Sequence, residues 1–97
     1  MNKKLFDINY TKNKLNEYLK NDIEAELYIR IKNNKYMIIP LKDKISFQWI
    51  GKTNEIYYKN VEELFSSKLI NGIILDKDWN QLKDIYYYYT FKKINIK

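Results

Sequence analysis

The fold of this chain is decided by residues 26–41, ELYIRIKNNKYMIIPL. From Leu27 to Ile31 every second residue is apolar, which is the period of a strand with one buried face. The dipeptide Asn33-Asn34 follows, and asparagine tolerates the left-handed backbone that tight hairpin turns require. The run Tyr36 to Leu41 therefore predicts a second strand that pairs antiparallel with the first.

Two further strands are predicted beyond this hairpin. A turn at residues 42–44 leads into a third strand whose apolar residues alternate over 45–49. A loop at 51–54 then precedes a short fourth strand over 55–58. Pro40 cannot donate a hydrogen bond to a neighbouring strand, so we expect its nitrogen to point to an edge, a bulge or solvent. Together the strands predict an antiparallel meander.

Two alternatives are open for the N-terminal segment. In one, a short alternating strand over 6–10 precedes a helix that Thr11 caps; in the other, the helix begins at Asp7. Both end the helix near Asn21. The apolar face of this helix would consist of Leu15, Tyr18 and Leu19.

Two helices are predicted after the meander. Asn60 suits the cap of a short helix, with Glu62 and Glu63 placed against the positive helix end. Asp76 suits the cap of a last helix that continues to Tyr89. The apolar face of that helix would consist of Trp79, Leu82, Ile85, Tyr86 and Tyr89. Residues 90–97 alternate lysine with apolar residues and fit either an edge strand or a loose basic arm.

The predicted fold class is therefore α+β within a single small domain, residues 1–97. It has an N-terminal helix, an antiparallel meander of about four strands, and two C-terminal helices on one face of the sheet. The opposite face would be left to solvent or to a partner.

The composition restricts the chemistry. The 97 residues include no histidine and no cysteine, which excludes an imidazole base, a thiolate nucleophile and nearly every zinc site. Lysine, isoleucine, asparagine and tyrosine make up 54 of the residues. Their codons are rich in A and T, so we expect an AT-rich genome, such as that of a phage or mobile element. Part of the net charge of +6 would then reflect codon usage.

No catalytic constellation is present in the sequence. No acidic residue is followed two positions later by lysine, a common nuclease pattern, and the two glycines are too far apart for a phosphate loop. The triplet Asp76-Lys77-Asp78 resembles the start of a calcium loop, but Gln81 and Tyr87 stand where glycine and glutamate are required. A helix cap explains it better. We predict a protein that is not an enzyme and holds no metal or cofactor.

The expected location is cytoplasmic, without a membrane partner. No apolar run approaches the ~20 residues that a membrane-spanning helix needs. The first residues also lack the apolar segment of a signal peptide.

The segment Phe6-Asp7-Ile8-Asn9-Tyr10-Thr11-Lys12 resembles the first strand and helix of RelE-type toxins, which cleave mRNA. Toxins of that family can work with lysine, arginine and tyrosine, so the resemblance implies a ribonuclease. It covers only the opening of the chain. A second long helix and an arginine-rich sheet follow in the family, whereas here a strand begins by residue 25 and Arg30 is the single arginine. This function is a remote alternative.

Two groups of tyrosines are candidates for binding a partner. The run Tyr86 to Tyr89 cannot point entirely into one core, and a helix would expose Tyr87 and Tyr88 next to Lys92 and Lys93. A second aromatic surface would form if Tyr28, Tyr36 and Tyr57 shared the outer face of the sheet. The candidate partner-binding residues are Tyr28, Arg30, Tyr57, Tyr87, Tyr88, Lys92 and Lys93.

The leading hypothesis is a non-enzymatic protein-binding module, of the class that phages and mobile elements use to inhibit host defence or to confer immunity. Tyrosine is enriched at protein interfaces, which makes another protein the first choice of partner. The alternative is a small basic protein that binds single-stranded RNA or DNA, since bases stack on aromatic rings. An exposed sheet edge leaves homodimerisation open.

Overall fold

The structure is a computed structural model that describes residues 7–89. In chain order its helices and strands are α1 (Ile8–Asn21), β1 (Ala25–Ile31), β2 (Asn34–Pro40), β3 (Ile45–Trp49), β4 (Ile56–Tyr58), α2 (Val61–Ser66), α3 (Leu75–Asp78) and β5 (Leu82–Tyr89). Single turns of 3-10 helix lie at Ile70–Gly72 and Trp79–Gln81. The α+β class, the N-terminal helix, the antiparallel meander and the C-terminal helices are confirmed.

The five strands form one antiparallel sheet in the order β4-β3-β2-β1-β5. Strands β1 to β4 are the predicted meander, and β5 adds a strand beside β1. The β1–β2 hairpin pairs Ile31 with Asn34, so its turn consists of Lys32 and Asn33. Both have positive φ, 52° and 68°, as a two-residue hairpin turn with the twist of the strands requires. The turn lies one residue earlier than predicted.

Pro40 ends β2 in the position that its chemistry demands. The neighbouring Leu41 donates its N–H to the backbone carbonyl of Lys44, just before β3, at 2.8 Å. Because successive residues of a strand point their N–H groups in opposite directions, the nitrogen of Pro40 points toward β1. The pairing between β1 and β2 has already stopped at Ile38. The missing N–H therefore removes no bond between strands.

At the N-terminus the alternative that starts the helix at Asp7 is correct, and the strand over 6–10 is wrong. The Asp7 Oδ1 accepts the backbone N–H groups of Asn9 at 2.8 Å and Tyr10 at 3.1 Å, which caps α1. Thr11 is fully buried inside the helix instead of capping it. The resemblance to RelE-type toxins loses its first strand as a result.

At the C-terminus the predicted helix from Asp76 to Tyr89 is wrong, because α3 ends at Asp78 and β5 begins at Leu82. The register explains the misleading spacing. Ile31 pairs with Leu82 while Arg30 pairs with Asp84, so Lys83 is the extra residue of a β-bulge. The bulge brings Leu82 and Ile85 to the same face of the strand, three residues apart, and this imitates a helix.

The caps of the two short helices differ. Asn60 caps α2 as predicted, since its Oδ1 accepts the N–H of Glu63 at 2.8 Å. Asp76 does not cap α3, because it lies within the first turn of that helix. There the backbone N–H of Ile74 donates to the Asp78 carboxylate at 3.0 Å.

The core lies between the helices and one face of the sheet. The sheet contributes Leu27, Ile29, Ile31, Tyr36, Ile38, Ile45 and Phe47, and the helical side contributes Leu15, Tyr18, Val61, Leu64, Phe65, Leu75 and Trp79. Tyr36 is fully buried and stacks on Phe47 with ring centroids 5.3 Å apart. It therefore does not belong to an outer aromatic surface. Within residues 7–89, no helix is long and apolar enough to span a membrane.

Candidate functional site

The candidate site is the sheet face opposite the helices, which we call the open face. Its members follow from strand alternation and from cross-strand pairing, because residues directly opposite one another in antiparallel strands share a face. The open face consists of Glu26, Tyr28, Arg30, Lys35, Met37, Ile39, Ser46, Gln48, Tyr57, Asp84, Tyr86 and Tyr88.

The central row of the open face crosses four strands. Gln48 is paired with Met37, Met37 with Tyr28, and Tyr28 with Tyr86. The rings of Tyr28 and Tyr86 are stacked, with centroids 5.3 Å apart and planes 14° apart. This contact joins the edge strand β5 to β1.

Three tyrosines of the open face are strongly exposed: 49% for Tyr57, 54% for Tyr86 and 65% for Tyr88. Exposure of several large aromatic rings on one face is a feature of interaction surfaces, where a partner covers them. The open face has this character at both ends, on β4 and on β5.

The placement of Tyr87 corrects the sequence-based expectation that its side chain is exposed. Because the run is a strand, Tyr86 and Tyr88 face outward and Tyr87 faces the helices. Its ring contacts Tyr18 edge-on, with centroids 6.4 Å apart, and its hydroxyl lies 3.4 Å from the Thr11 Oγ1. Tyr86, which was expected in the core, lies on the open face instead.

Two tyrosines of the open face donate hydrogen bonds from their hydroxyl groups to glutamates. Tyr28 donates to the Glu26 Oε1 at 2.7 Å, and Tyr57 donates to the Glu55 Oε1 at 2.6 Å. The first bond raises the pKa of Tyr28 from 10.0 to about 12, and the second raises the pKa of Tyr57. Both hydrogen bonds favour the protonated hydroxyl, and both help to orient the tyrosine rings.

Arg30 is engaged within the sheet. Its Nη2 lies 2.5 Å and its Nε 2.7 Å from the Asp84 Oδ2, which is a cross-strand ion pair between β1 and β5. Both contacts use one carboxylate oxygen and neither involves the Arg30 Nη1, which makes no hydrogen bond within residues 7–89.

An open cavity of about 280 Å³ lies beside this ion pair. Its walls are Tyr28, Ile29, Arg30, Lys35, Asp84 and Tyr86. Small-molecule sites usually occupy ~300–1,000 Å³ and enclose most of their ligand, so this open cavity is at the lower limit of that range. Two of its walls, Tyr28 and Arg30, are residues that the sequence singled out.

Within residues 7–89, the open face and its rim carry no excess of positive charge. The face and its rim carry three basic residues, Arg30, Lys35 and Lys44, and three acidic residues, Glu26, Glu55 and Asp84. All of residues 7–89 hold 13 basic against 12 acidic residues. The other five lysines lie in residues 1–6 and 90–97, outside the described residues. The candidates Lys92 and Lys93 are among them.

The triplet Asp76-Lys77-Asp78 contributes to the fold through both of its carboxylates. Asp76 forms an ion pair with Lys12 of α1 at 2.8 Å, and Asp78 accepts the backbone N–H of Ile74. Across the part of the chain that the structure describes, no three acidic residues come close enough to hold a metal ion.

Sequence reasoning missed the other four residues of the cavity, namely Ile29, Lys35, Asp84 and Tyr86. The alternation of Asp84, Tyr86 and Tyr88 was a usable signal for a strand, but the apolar spacing around the bulge at Lys83 favoured a helix. Comparison of the chain with protein-family models, curated proteins and solved structures finds no match.

Proposed function

We propose that this chain is a non-enzymatic protein-binding module that uses its open face to cover a surface of another protein. The observation that carries the proposal is a sheet face that presents four tyrosines and carries no net charge within residues 7–89. The tyrosines are Tyr28, which stacks on Tyr86, and the exposed Tyr57, Tyr86 and Tyr88. Tyrosine is enriched at protein interfaces and their hot spots, whereas charged residues are depleted at interface centres.

The rigidity of the tyrosines also supports this function. The Tyr28 ring is fixed by stacking on Tyr86 and by its bond to Glu26, and the Tyr57 ring by Glu55 and by Lys44, whose Nζ lies 4.0 Å from the ring centroid. Side chains that are already ordered lose less entropy on binding. The aliphatic residues Met37 and Ile39 lie between these two ends.

A module of this kind acts by occupying a surface and needs no reacting group. Inhibitors of host defence and immunity proteins work in this way, so host-defence proteins and toxins are the classes of partner to test first. The absence of histidine and cysteine from the sequence accords with such a role.

Binding of single-stranded nucleic acid is the second candidate, and the five lysines outside residues 7–89 favour it. It predicts an affinity that falls steeply with salt, since each phosphate contact releases counterions. Protein binding through the neutral open face predicts an affinity that depends only weakly on salt. Measurement at several salt concentrations therefore separates the two functions.

The test of the proposal is partner capture from a host lysate treated with nuclease, compared between two matched variants. Tyr86→Ala combined with Tyr88→Ala removes exposed rings from the open face. Ile56→Ala is the control, because Ile56 is 41% exposed but pairs with Phe47 on the helical side. We expect the double variant to lose the captured protein and the control to retain it. Equal capture by both folded variants would overturn the proposal.

A further inference from the structure

We infer that the cavity beside Tyr28 and Tyr86 binds an acidic side chain of the partner protein, with an apolar or aromatic neighbour of that residue packed on Tyr86. This inference rests on the proposed function, because it names the chemistry that the open face would recognise. It commits the cavity to a short protein segment that presents aspartate or glutamate.

The first argument is the arrangement of charges around the cavity. Arg30 on β1 is paired directly with Lys35 on β2 and with Asp84 on β5. Two cations thus flank one another across the strands, and like charges directly opposite are unfavourable in a sheet. Asp84 compensates for one of them. The cavity lining keeps one excess positive charge, while the other charges of the face and its rim, Glu26, Glu55 and Lys44, sum to −1.

The second argument is that donors remain free. Lys35 is exposed, and its ammonium group has no hydrogen bond or ion pair with any residue from 7 to 89. The Arg30 Nη1 is also unused there. A carboxylate between these two groups would accept charge-assisted hydrogen bonds, which are stronger than neutral ones.

The third argument distinguishes a carboxylate from a nucleic-acid backbone. A polyanion that followed the strands would run past Asp84, Glu26 and Glu55, each of which repels phosphate. A single carboxylate in the cavity meets only Asp84, which is already paired with Arg30, and it avoids Glu26 and Glu55. The stacked rings of Tyr28 and Tyr86 form the adjacent wall, and they offer apolar area to the neighbouring side chain of a peptide.

The test is to pan a phage-displayed library of random dodecapeptides on the folded protein and on two variants of equal charge change. Lys35→Glu reverses the charge in the cavity. Lys68→Glu makes the same change at an exposed lysine that follows α2 on the helical side. We expect the wild type and Lys68→Glu to enrich peptides in which an acidic residue adjoins an aromatic one. Lys35→Glu should weaken the binding of those peptides at least about tenfold, or by about 1.4 kcal/mol.

Three other outcomes overturn the inference, and they separate it from the proposed function. The inference alone fails if the enriched peptides lack acidic residues and bind Lys35→Glu as well as the wild type, but do not bind the variant with Tyr86→Ala and Tyr88→Ala. A single-stranded oligonucleotide that displaces the peptides and itself depends on Lys35 would make the cavity a phosphate site. If no enriched peptide responds to any of these substitutions, both the inference and the proposed function fail.

Discussion

The two faces of the sheet use tyrosine in different ways. On the helical face Tyr36 is fully buried, stacks on Phe47, and its hydroxyl accepts a hydrogen bond from Asn71 at 3.2 Å. On the open face Tyr28 has an equivalent stacking partner in Tyr86, at the same centroid distance of 5.3 Å, and a hydroxyl partner in Glu26. The open face is therefore organised like part of a core, but its tyrosines Tyr57, Tyr86 and Tyr88 remain about half exposed or more.

The comparison separates stability from binding. Rings on the helical face hold the domain together, because their removal leaves a cavity that the surroundings cannot fill. Rings on the open face contribute little to folding while they remain exposed. Their contribution should appear when a partner removes them from water.

The strongest test of this separation compares Tyr36→Ala with Tyr86→Ala. We expect Tyr36→Ala to lower the free energy of unfolding by about 3–5 kcal/mol, as for other buried aromatic residues. Tyr86→Ala should cost about 1 kcal/mol or less, since most of its ring is exposed. Denaturant unfolding of the two variants measures both values. Similar losses would show that the open face is structural.

A finer test uses neighbouring residues of the same run. Tyr87→Phe removes the hydroxyl that contacts Thr11 in a part-buried position, so we expect a loss of about 1 kcal/mol. Tyr88→Phe should change the free energy of unfolding by less than about 0.5 kcal/mol. The same unfolding experiment applies. A larger effect at position 88 would argue against the register of β5.

Substitution of Lys35 should move stability and binding in opposite directions. Lys35→Glu places an acid directly opposite Arg30 and should raise the free energy of unfolding by about 0.2–1 kcal/mol. The same change should weaken the binding of acidic peptides. Thermal or denaturant unfolding measures the first effect, with Lys68→Glu as the control. A destabilised Lys35→Glu variant would contradict the unfavourable pairing of Arg30 and Lys35.

The smallest expected effect concerns alkaline pH. Because the pKa of Tyr28 is raised from 10.0 to about 12 in the folded protein, its bond to Glu26 stabilises the fold fully below pH 10. This contribution should fall between about pH 10 and pH 12, where the unfolded chain loses the proton first. Tyr28→Phe should therefore flatten the alkaline decline in stability. Parallel curves for the two proteins would count against the hydrogen bond.

Much of the fold was predictable because local chemistry agrees with the tertiary structure. The alternation over Leu27–Ile31, the turn asparagines and the Asn60 cap each favour the element that forms. At the N-terminus Asp7 and Thr11 were both reasonable caps. The sequence could not choose between them, because the choice depends on the burial of Thr11 against Tyr87.

The site was less predictable than the fold because it depends on β5. A bulge at Lys83 places Leu82 and Ile85 on one face with the spacing of a helix, so the tyrosine run was assigned the wrong period. That error exchanged the environments of Tyr86 and Tyr87. Lys35 and Asp84 are distant in sequence, and only the pairing of β1 with both β2 and β5 brings them to one cavity.

The central claim is that the open face binds a protein partner, and the most direct measurement is the affinity of the nuclease-resistant captured protein for two forms of the chain. For the variant that combines Tyr86→Ala and Tyr88→Ala, we predict a loss of at least about 2 kcal/mol, or roughly thirtyfold in Kd, with an unchanged circular dichroism spectrum. An affinity equal to that of the wild type in a folded double variant would contradict the claim.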